Sequence, residues 1–178
     1  SEIIKSHPVR TSSLSRLPGF KKNYRNYLPL FPKAIQKMDT KGHELIISTS
    51  HCVAKGIRRD KKALHISYCF TPMRYAWGFF DDYFGGKNIL ARLAIKAWMK
   101  RLRKWDIESN AGVDHFIAIS EHIRKRIQKC YQRDSAVIYP PVDTQYYTPD
   151  YRVPREDFYL VVSALVPYKK VDHAVKAA

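Results

Sequence analysis

The sequence predicts an α/β protein with a Rossmann-like parallel sheet and flanking helices. Short apolar strands alternate with helical segments of a dozen or more residues, which is the pattern of β-α-β units. The clearest strand spans residues 64–70, which are aliphatic and aromatic and include no acid, and the most regular helix spans residues 87–105. The same alternation resumes near the C-terminus, and it predicts the first strand and helix of a second lobe.

Composition changes divide the chain into three parts. Residues 1–139 form the first Rossmann-like domain. Residues 140–156 carry Pro149 and Pro154 among several tyrosines, which indicates a linker between lobes. Residues 157–178 begin the second domain, with a strand at 158–164 and a helix that starts near Lys169.

The remaining elements follow from hydrophobic spacing. Residues 1–22 are predicted as loop with at most a short turn of helix, and residues 23–38 as a helix that Pro29 and Pro32 kink or split. Further strands are predicted at 44–49, 115–119 and 135–139. Ser120 is a good N-cap for a helix after the third strand, and Glu121 suits the positive end of the helix dipole.

The helix predicted at 87–105 has two distinct faces. Its apolar stripe includes Leu90, Leu93 and Leu102, and its other face carries only basic residues, because no acid occurs between Lys87 and Trp105. This pattern is typical of a helix packed on a sheet with a solvated basic side. It is also typical of a helix lying on an anionic membrane surface, and both can hold on different faces.

The charge is strongly basic. The 178 residues include 32 Lys and Arg against 16 acids, a net charge of +16, and 45% are hydrophobic. A folded core is therefore expected, with acidic partners such as phosphorylated small molecules, nucleic acid or a membrane surface. Nucleic acid is the least favoured partner, because the chain has no recognisable nucleic-acid motif.

Several chemistries are excluded by the motifs. The seven glycines make neither a dinucleotide fingerprint nor a P-loop, and the seven histidines include no metal-binding pair. Three widely spaced cysteines indicate reduced thiols in a cytoplasmic protein. The longest apolar runs fall well short of the ~20 residues of a membrane span.

What remains is a cationic and aromatic cleft at the carboxyl ends of the strands, where open α/β sheets bind ligands. Arg74 offers a planar fork that suits phosphate, with aromatic faces beside it. Lysines at the predicted start of the last helix can hold a diphosphate together with backbone N–H groups. The predicted cleft residues are His51, Lys55, Gly56, Arg74, Tyr75, Trp77, Ser120 and Glu121, with Lys169 and Lys170 from the second lobe.

Five stretches, in order, resemble group 1 glycosyltransferases of the retaining GT-B type, and the nearest subgroup is mannosyltransferase-like. They are S-H-C-V-A-K-G (50–56), H-I-S-Y-C-F-T-P-M-R-Y-A-W (65–77), F-I-A-I-S-E-H-I-R-K-R-I (116–127), V-I-Y-P-P-V-D (137–143) and V-S-A-L-V-P-Y-K-K-V-D (162–172). The resemblance implies transfer of a hexose, mannose above all, from a GDP-mannose-like nucleotide-sugar, with no cofactor or metal. The implied acceptor is lipid-linked or a polysaccharide, at the inner face of the plasma membrane.

The resemblance also assigns individual positions. Lys169 matches the lysine that contacts the donor diphosphate, and Phe70 stands where these enzymes usually have a histidine close to the transferred sugar. Gly78 and Ala164 replace an acid and a cation of the usual pattern. The resemblance implies that residues 1–139 are the acceptor domain without its first strand, because that strand with its glycine-rich loop, and the later paired glutamates of the resembled enzymes, fall outside these residues. The chain is therefore expected to be a fragment that is inactive alone.

Two alternatives stay open beside this interpretation. One is a degenerate, non-catalytic glycosyltransferase-like scaffold, because Phe70 can neither hydrogen-bond nor transfer a proton. The other is a basic nucleic-acid-binding α/β module.

Overall fold

The structure, a computed structural model, describes residues 6–78, 80, 84, 86, 88–154, 156–166 and 169–178. Its centre is a four-stranded parallel sheet in the order β1-β2-β3-β4. The strands are β1 (Leu45–Ser50), β2 (Leu64–Cys69), β3 (His115–Ala118) and β4 (Ala136–Val137). The α-helices are α1 (Phe20–Asn23), α2 (Phe31–Gln36), α3 (Ile89–Glu108), α4 (Glu121–Tyr131) and α5 (Val171–Ala177). The predicted α/β class with a parallel sheet and flanking helices is confirmed.

The two faces of the sheet differ in burial. One face packs against α4, and its cluster includes Cys69, Phe116 and Ala118 from the strands with Ile123 and Ile127 from the helix. Alternate residues of β1 point the other way, so Leu45 is 51% exposed and Ile47 is 62% exposed. The period of two along each strand produces this contrast, because successive side chains lie on opposite faces.

A second apolar cluster joins α3 to the chain that follows β2. Met73, Tyr75 and Ala76 pack there against Met99 and Leu102. The helix thus fixes the segment that carries Arg74 beyond the carboxyl end of β2. No helix among the described residues combines the length and apolar character needed to cross a membrane.

Helix α3 is longer than predicted, and its apolar stripe is buried only in part. Asn88 caps the N-terminus by accepting the Ala91 N–H at 2.8 Å, and the helix continues to Glu108. Leu90 and Leu93, predicted on the buried face, are 79% and 58% exposed. The reason is that only the second half of the helix reaches the core, where Met99 and Leu102 are buried. Lys87 lies outside the described residues.

The predicted split of the helix at 23–38 is confirmed. Residues 24–30 form a 3₁₀ helix before the short α2, because Pro29 lacks the N–H donor that an α-helical turn requires. One further prediction is corrected. Residues 158–164, predicted as a strand, form none, because a strand needs a hydrogen-bonded neighbour and the described sheet pairs only β1 to β4. The domain boundaries at 139/140 and 156/157 stay predictions.

Candidate functional site

A pocket lies at the carboxyl ends of the first three strands. We call it the strand-end pocket; its volume is about 380 Å³. Its lining comes from the loop after β1, the loop after β2 and the first turns of α4. The lining residues are His51, Phe70, Thr71, Arg74, His122, Ile123 and Arg126. The parallel sheet explains this convergence, since the carboxyl ends of parallel strands meet at one edge.

Two guanidinium groups give the pocket a positive charge, and burial together with one of them lowers the pKa of the neighbouring His51 imidazole. Partial burial, with the guanidinium of Arg74 next in effect, holds the pKa of His51 below its ordinary value of 6.5. His51 is consequently neutral at neutral pH and keeps a ring nitrogen that can accept a hydrogen bond. Arg74 and Arg126 supply the positive charge, and none of the described lining residues is acidic.

Phe70 lies in the wall of the strand-end pocket. It is 40% exposed, and its ring makes an edge contact with Tyr68 at a centroid distance of 5.6 Å. Its backbone N–H donates to Ser50 O at 3.1 Å, which ties the strand ends together. The pocket therefore presents an aromatic face between its basic groups, without a proton donor at this position.

Ser120 and Glu121 begin α4 and do not line the pocket. The Ser120 hydroxyl accepts the Ile123 N–H at 3.3 Å, and Glu121 pairs with Arg124 at 3.0 Å. Both residues act on the helix start, as capping and dipole interactions do. The helix then directs His122 and Arg126, one turn apart, into the pocket.

Lys55 lies in the core, which corrects its predicted place in the cleft. Its side chain is 5% exposed, and Nζ pairs with Asp106 Oδ1 at 3.1 Å and donates to Ser109 Oγ at 2.6 Å. It also donates to the Asp106 carbonyl and lies 4.6 Å from the centre of the Tyr131 ring. A lysine with these contacts holds the fold together and does not reach a ligand.

Gly56 and Tyr75 also serve packing. A Cβ at Gly56 would overlap the ring of Trp105, so the glycine is needed for the close approach of α3. Tyr75 is 9% exposed and belongs to the cluster around Met99. The aromatic side chain predicted to stack on a ligand is therefore inside the protein.

Trp77 faces a different cavity from the one predicted. Its indole N–H donates to Asp106 Oδ2 at 2.7 Å, and its ring meets Tyr131 edge-on. It lines a second cavity, between α3 and α4, that also contains His122 and Arg126.

Lys169 and Lys170 directly precede α5, and neither lines the strand-end pocket. Both are exposed, and Lys170 adopts a left-handed conformation with φ of 51° at the helix N-cap. Their predicted role towards a donor diphosphate stays a prediction.

Other reactive groups are held inert. Burial raises the pKa of Cys69, and likewise that of Cys52, to about 12, so neither forms a thiolate at neutral pH. No group of His, Cys, Asp and Glu among the described residues could hold a metal ion.

Four pocket residues were not predicted from the sequence: Thr71, His122, Ile123 and Arg126. The spacing of His122 and Arg126 carried a signal, because residues four apart on a helix share a face. Since Ser120 marks the helix start, that face could have been placed at the strand end.

Comparison with protein-family models, curated proteins and solved structures finds no match for this chain. The choice between functions therefore depends on the side chains of the pocket.

Proposed function

We propose that this chain supplies the acceptor side of the cleft of a retaining hexosyltransferase that uses a nucleotide-sugar, with mannose as the favoured sugar. The observation that supports it most is the strand-end pocket, which joins Arg74 and Arg126 with two imidazoles at one edge of a parallel sheet. Sugars and phosphates both match this lining, since imidazoles bind hydroxyl groups and guanidinium groups bind phosphate.

The chemistry of transfer gives the arginines a role. Negative charge develops on the leaving diphosphate as the glycosidic bond breaks, and a fixed cation stabilises that charge. Neutral His51 accepts a hydrogen bond from a sugar hydroxyl, because its pKa lies below 6.5. The transition state is oxocarbenium-like, so the neutral imidazole also avoids adding positive charge beside the sugar. Lys169 and Lys170 would bind the donor diphosphate from the other lobe.

A titration of the imidazole resonances tests this proposal. We expect GDP-mannose, or failing that UDP-glucose, to shift the His51 and His122 signals in NMR spectra of the chain. Replacing Arg74 by lysine should weaken the response, because an ammonium group cannot form the two-pronged contact of a guanidinium with phosphate. Lys62→Gln, in the turn before β2, is the control. Spectra unchanged by both nucleotide-sugars and by their free sugars would reject the site.

The degenerate-scaffold alternative has one observation in its favour, since Phe70 stands in the pocket wall without a hydrogen-bonding group. A Phe70→His variant separates the two functions. If the pocket is inactive, the full-length protein that contains this chain should gain transfer of radiolabelled mannose to a membrane-extract acceptor only when it carries the variant. Transfer by the full-length protein with Phe70 would instead establish the active enzyme.

We also propose a peripheral position on an anionic membrane, through the N-terminal half of α3. Leu90 and Leu93 are exposed there beside Arg92 and Lys96, which combines apolar insertion with attraction to acidic lipid. Sedimentation with phosphatidylglycerol vesicles should remove the chain from solution. The variant Leu90→Ser/Leu93→Ser should stay in solution. Equal sedimentation of the parent chain and the variant would mean that charge alone causes the vesicle binding.

A further inference from the structure

The largest of the cavities described above lies between α3 and α4, outside the strand-end pocket. We call it the α3–α4 groove; its volume is about 570 Å³. Its lining residues are Trp77, Arg103, His122, Lys125, Arg126, Lys129 and Cys130. The two cavities share His122 and Arg126, so the groove continues from the pocket along α4.

The groove concentrates positive charge that no carboxylate of the described residues pairs with. Its described lining residues include four cations, Arg103, Lys125, Arg126 and Lys129, and no acid. None of the ion pairs between described residues joins any of the four to a carboxylate. Like charges one turn apart on a helix repel each other, so α4 is destabilised by this arrangement unless an anion binds.

The two guanidinium groups are held in position by the main chain. Arg103 Nε donates to Ala76 O at 3.0 Å, and its guanidinium lies 4.9 Å from the centre of the Trp77 ring. Arg126 Nη2 donates to the next carbonyl, Trp77 O, at 3.4 Å. One arginine from each helix is therefore oriented by neighbouring carbonyl groups before any ligand arrives, which lowers the entropy cost of binding.

Arg126 has a further donor without a use in the fold. Its Nε is buried and has no hydrogen-bond partner among the described residues. Buried donors are nearly always paired in proteins, so an unpaired one beside a cavity indicates a missing acceptor. A phosphate oxygen in the groove is such an acceptor.

The number of cations selects the ligand. A phosphate monoester carries a charge of about −1.5 to −2 at neutral pH, which would leave two of the four cations unmatched. A diphosphate offers two linked groups of acceptor oxygens, and guanidinium groups bind such oxygens in pairs. The volume lies within the ~300–1,000 Å³ of small-molecule sites, so an organic part can lie along Trp77 beside the diphosphate.

From this geometry we infer that the α3–α4 groove is a binding site for an organic diphosphate. The α3–α4 groove differs from the strand-end pocket because Lys125 and Lys129 line only the groove. Diphosphate binding in the groove does not depend on whether the chain transfers a sugar. A soluble diphosphate and the diphosphate headgroup of an isoprenoid lipid share the chemistry that the groove recognises.

Calorimetric titration with inorganic pyrophosphate tests the inference. We expect pyrophosphate to bind at least about tenfold more tightly than orthophosphate, because it engages twice as many cations. The double variant Lys125→Gln/Lys129→Gln should weaken pyrophosphate binding by about tenfold or more. Both lysines are exposed, so the fold should be retained, which circular dichroism checks.

The control has the same net charge and the same type of substitution. Lys61→Gln/Lys62→Gln alters two exposed lysines in the turn before β2, at the amino end of the sheet. Its pyrophosphate affinity should match that of the parent chain. Equal weakening in the two double variants would mean that only the overall charge attracts the anion, and it would overturn the site.

Two further binding measurements, with farnesyl diphosphate and with an oligonucleotide, identify the source of the ligand. Tighter binding of farnesyl diphosphate in phosphatidylcholine vesicles than of free pyrophosphate would support a lipid-borne diphosphate, and equal binding would support a soluble one. A single-stranded oligonucleotide that binds the groove lysines and is not displaced by pyrophosphate would overturn the inference in favour of nucleic acid. Absence of pyrophosphate binding would also overturn it.

Discussion

Asp106 is the buried residue that holds Trp77, a lining residue of the α3–α4 groove, in place. It has no exposed surface, and its Oδ2 accepts from Trp77 Nε1 at 2.7 Å and from the Tyr131 hydroxyl at 3.0 Å. Its other oxygen pairs with Lys55. Burial, and then the Asp106 charge, raises the pKa of Tyr131, which keeps the phenol a donor. One carboxylate thus links α3, α4 and the segment after β2.

Neutralising this carboxylate should destabilise the protein strongly. Asp106→Asn leaves the Lys55 ammonium buried without its counter-charge, and such losses cost about 3–5 kcal/mol. Urea denaturation measures the free energy of unfolding. The variant Lys55→Met/Asp106→Asn, which buries no charge, should unfold less easily than Asp106→Asn alone. If the double variant is the less stable of the two, the ion pair is not the source of the effect.

His65 connects the stability of the sheet to pH. Its ring is fully buried between Gly112 O, 2.8 Å from Nδ1, and Ser48 Oγ, 2.9 Å from Nε2. The carbonyl can only accept, so Nδ1 carries the proton and Nε2 accepts from the Ser48 hydroxyl in the neutral ring. Burial holds the pKa of His65 below its ordinary value of 6.5.

The sign of the pH dependence follows from that pKa. The unfolded chain protonates this histidine near pH 6.5 and the folded chain does so only at lower pH, so acid favours unfolding. The free energy of unfolding should be at its full value above pH 6.5 and fall as the pH decreases below it. His65→Gln should reduce the slope, whereas His43→Gln, at an exposed position, should keep it. Equal slopes in both variants would contradict this role.

At the scale of elements, α4 explains why one face of the sheet is stable. Ser120 caps its start, Gln132 ends it in a left-handed conformation with φ of 53°, and Ile127 has no exposed surface. The adjoining side of the same helix, with His122 and Arg126, lines the two cavities. The core face and the cavity face of this amphipathic helix therefore share a border, at which Ile123 belongs both to the core cluster and to the pocket lining.

The two faces of the sheet should respond differently to truncation. Ile127→Ala should lower the free energy of unfolding by about 2–5 kcal/mol, because it opens a cavity in the core. Ile47→Ala, on the exposed face, should lower it by less than about 1 kcal/mol. Urea denaturation of both variants measures the difference. Similar losses would mean that the face around Ile47 is packed in solution.

At the scale of the whole molecule, the net charge of +16 opposes compactness. The chain has 32 Lys and Arg against 16 Asp and Glu, and one of those carboxylates, Asp106, is buried in a pair with Lys55. Repulsion between like charges across the surface should therefore weaken the folded state at low ionic strength.

Salt should relieve that repulsion. Raising NaCl from about 0.1 M to about 1 M shortens the screening length from ~10 Å to ~3 Å. The urea midpoint should rise over this range, and KCl should give the same rise if screening alone is responsible. A midpoint that falls with salt would mean that attractive surface pairs outweigh the net repulsion.

The strands and the two longest helices could be predicted because their signals are local. Apolar runs such as residues 64–70 and the helical spacing after Ser120 do not depend on distant contacts. The position of Arg74 beyond the end of β2 was predictable for the same reason, since a strand end fixes where its loop begins. The exposed Leu90 and Leu93 show the limit, because periodicity marks an apolar face but not what covers it.

By itself the sequence determined the α/β class, the order of the strands along the chain, the basic charge and the loops at the strand ends. Only the tertiary structure decided which polar groups reach those ends. The local sequence predicts Lys55 as a cation of the cleft. In the structure Lys55 is buried, because Asp106, 51 residues away, neutralises it. Arg126 was not predicted as a site residue, yet it lines both cavities. Pairing across such separations depends on packing geometry, which local propensity does not encode.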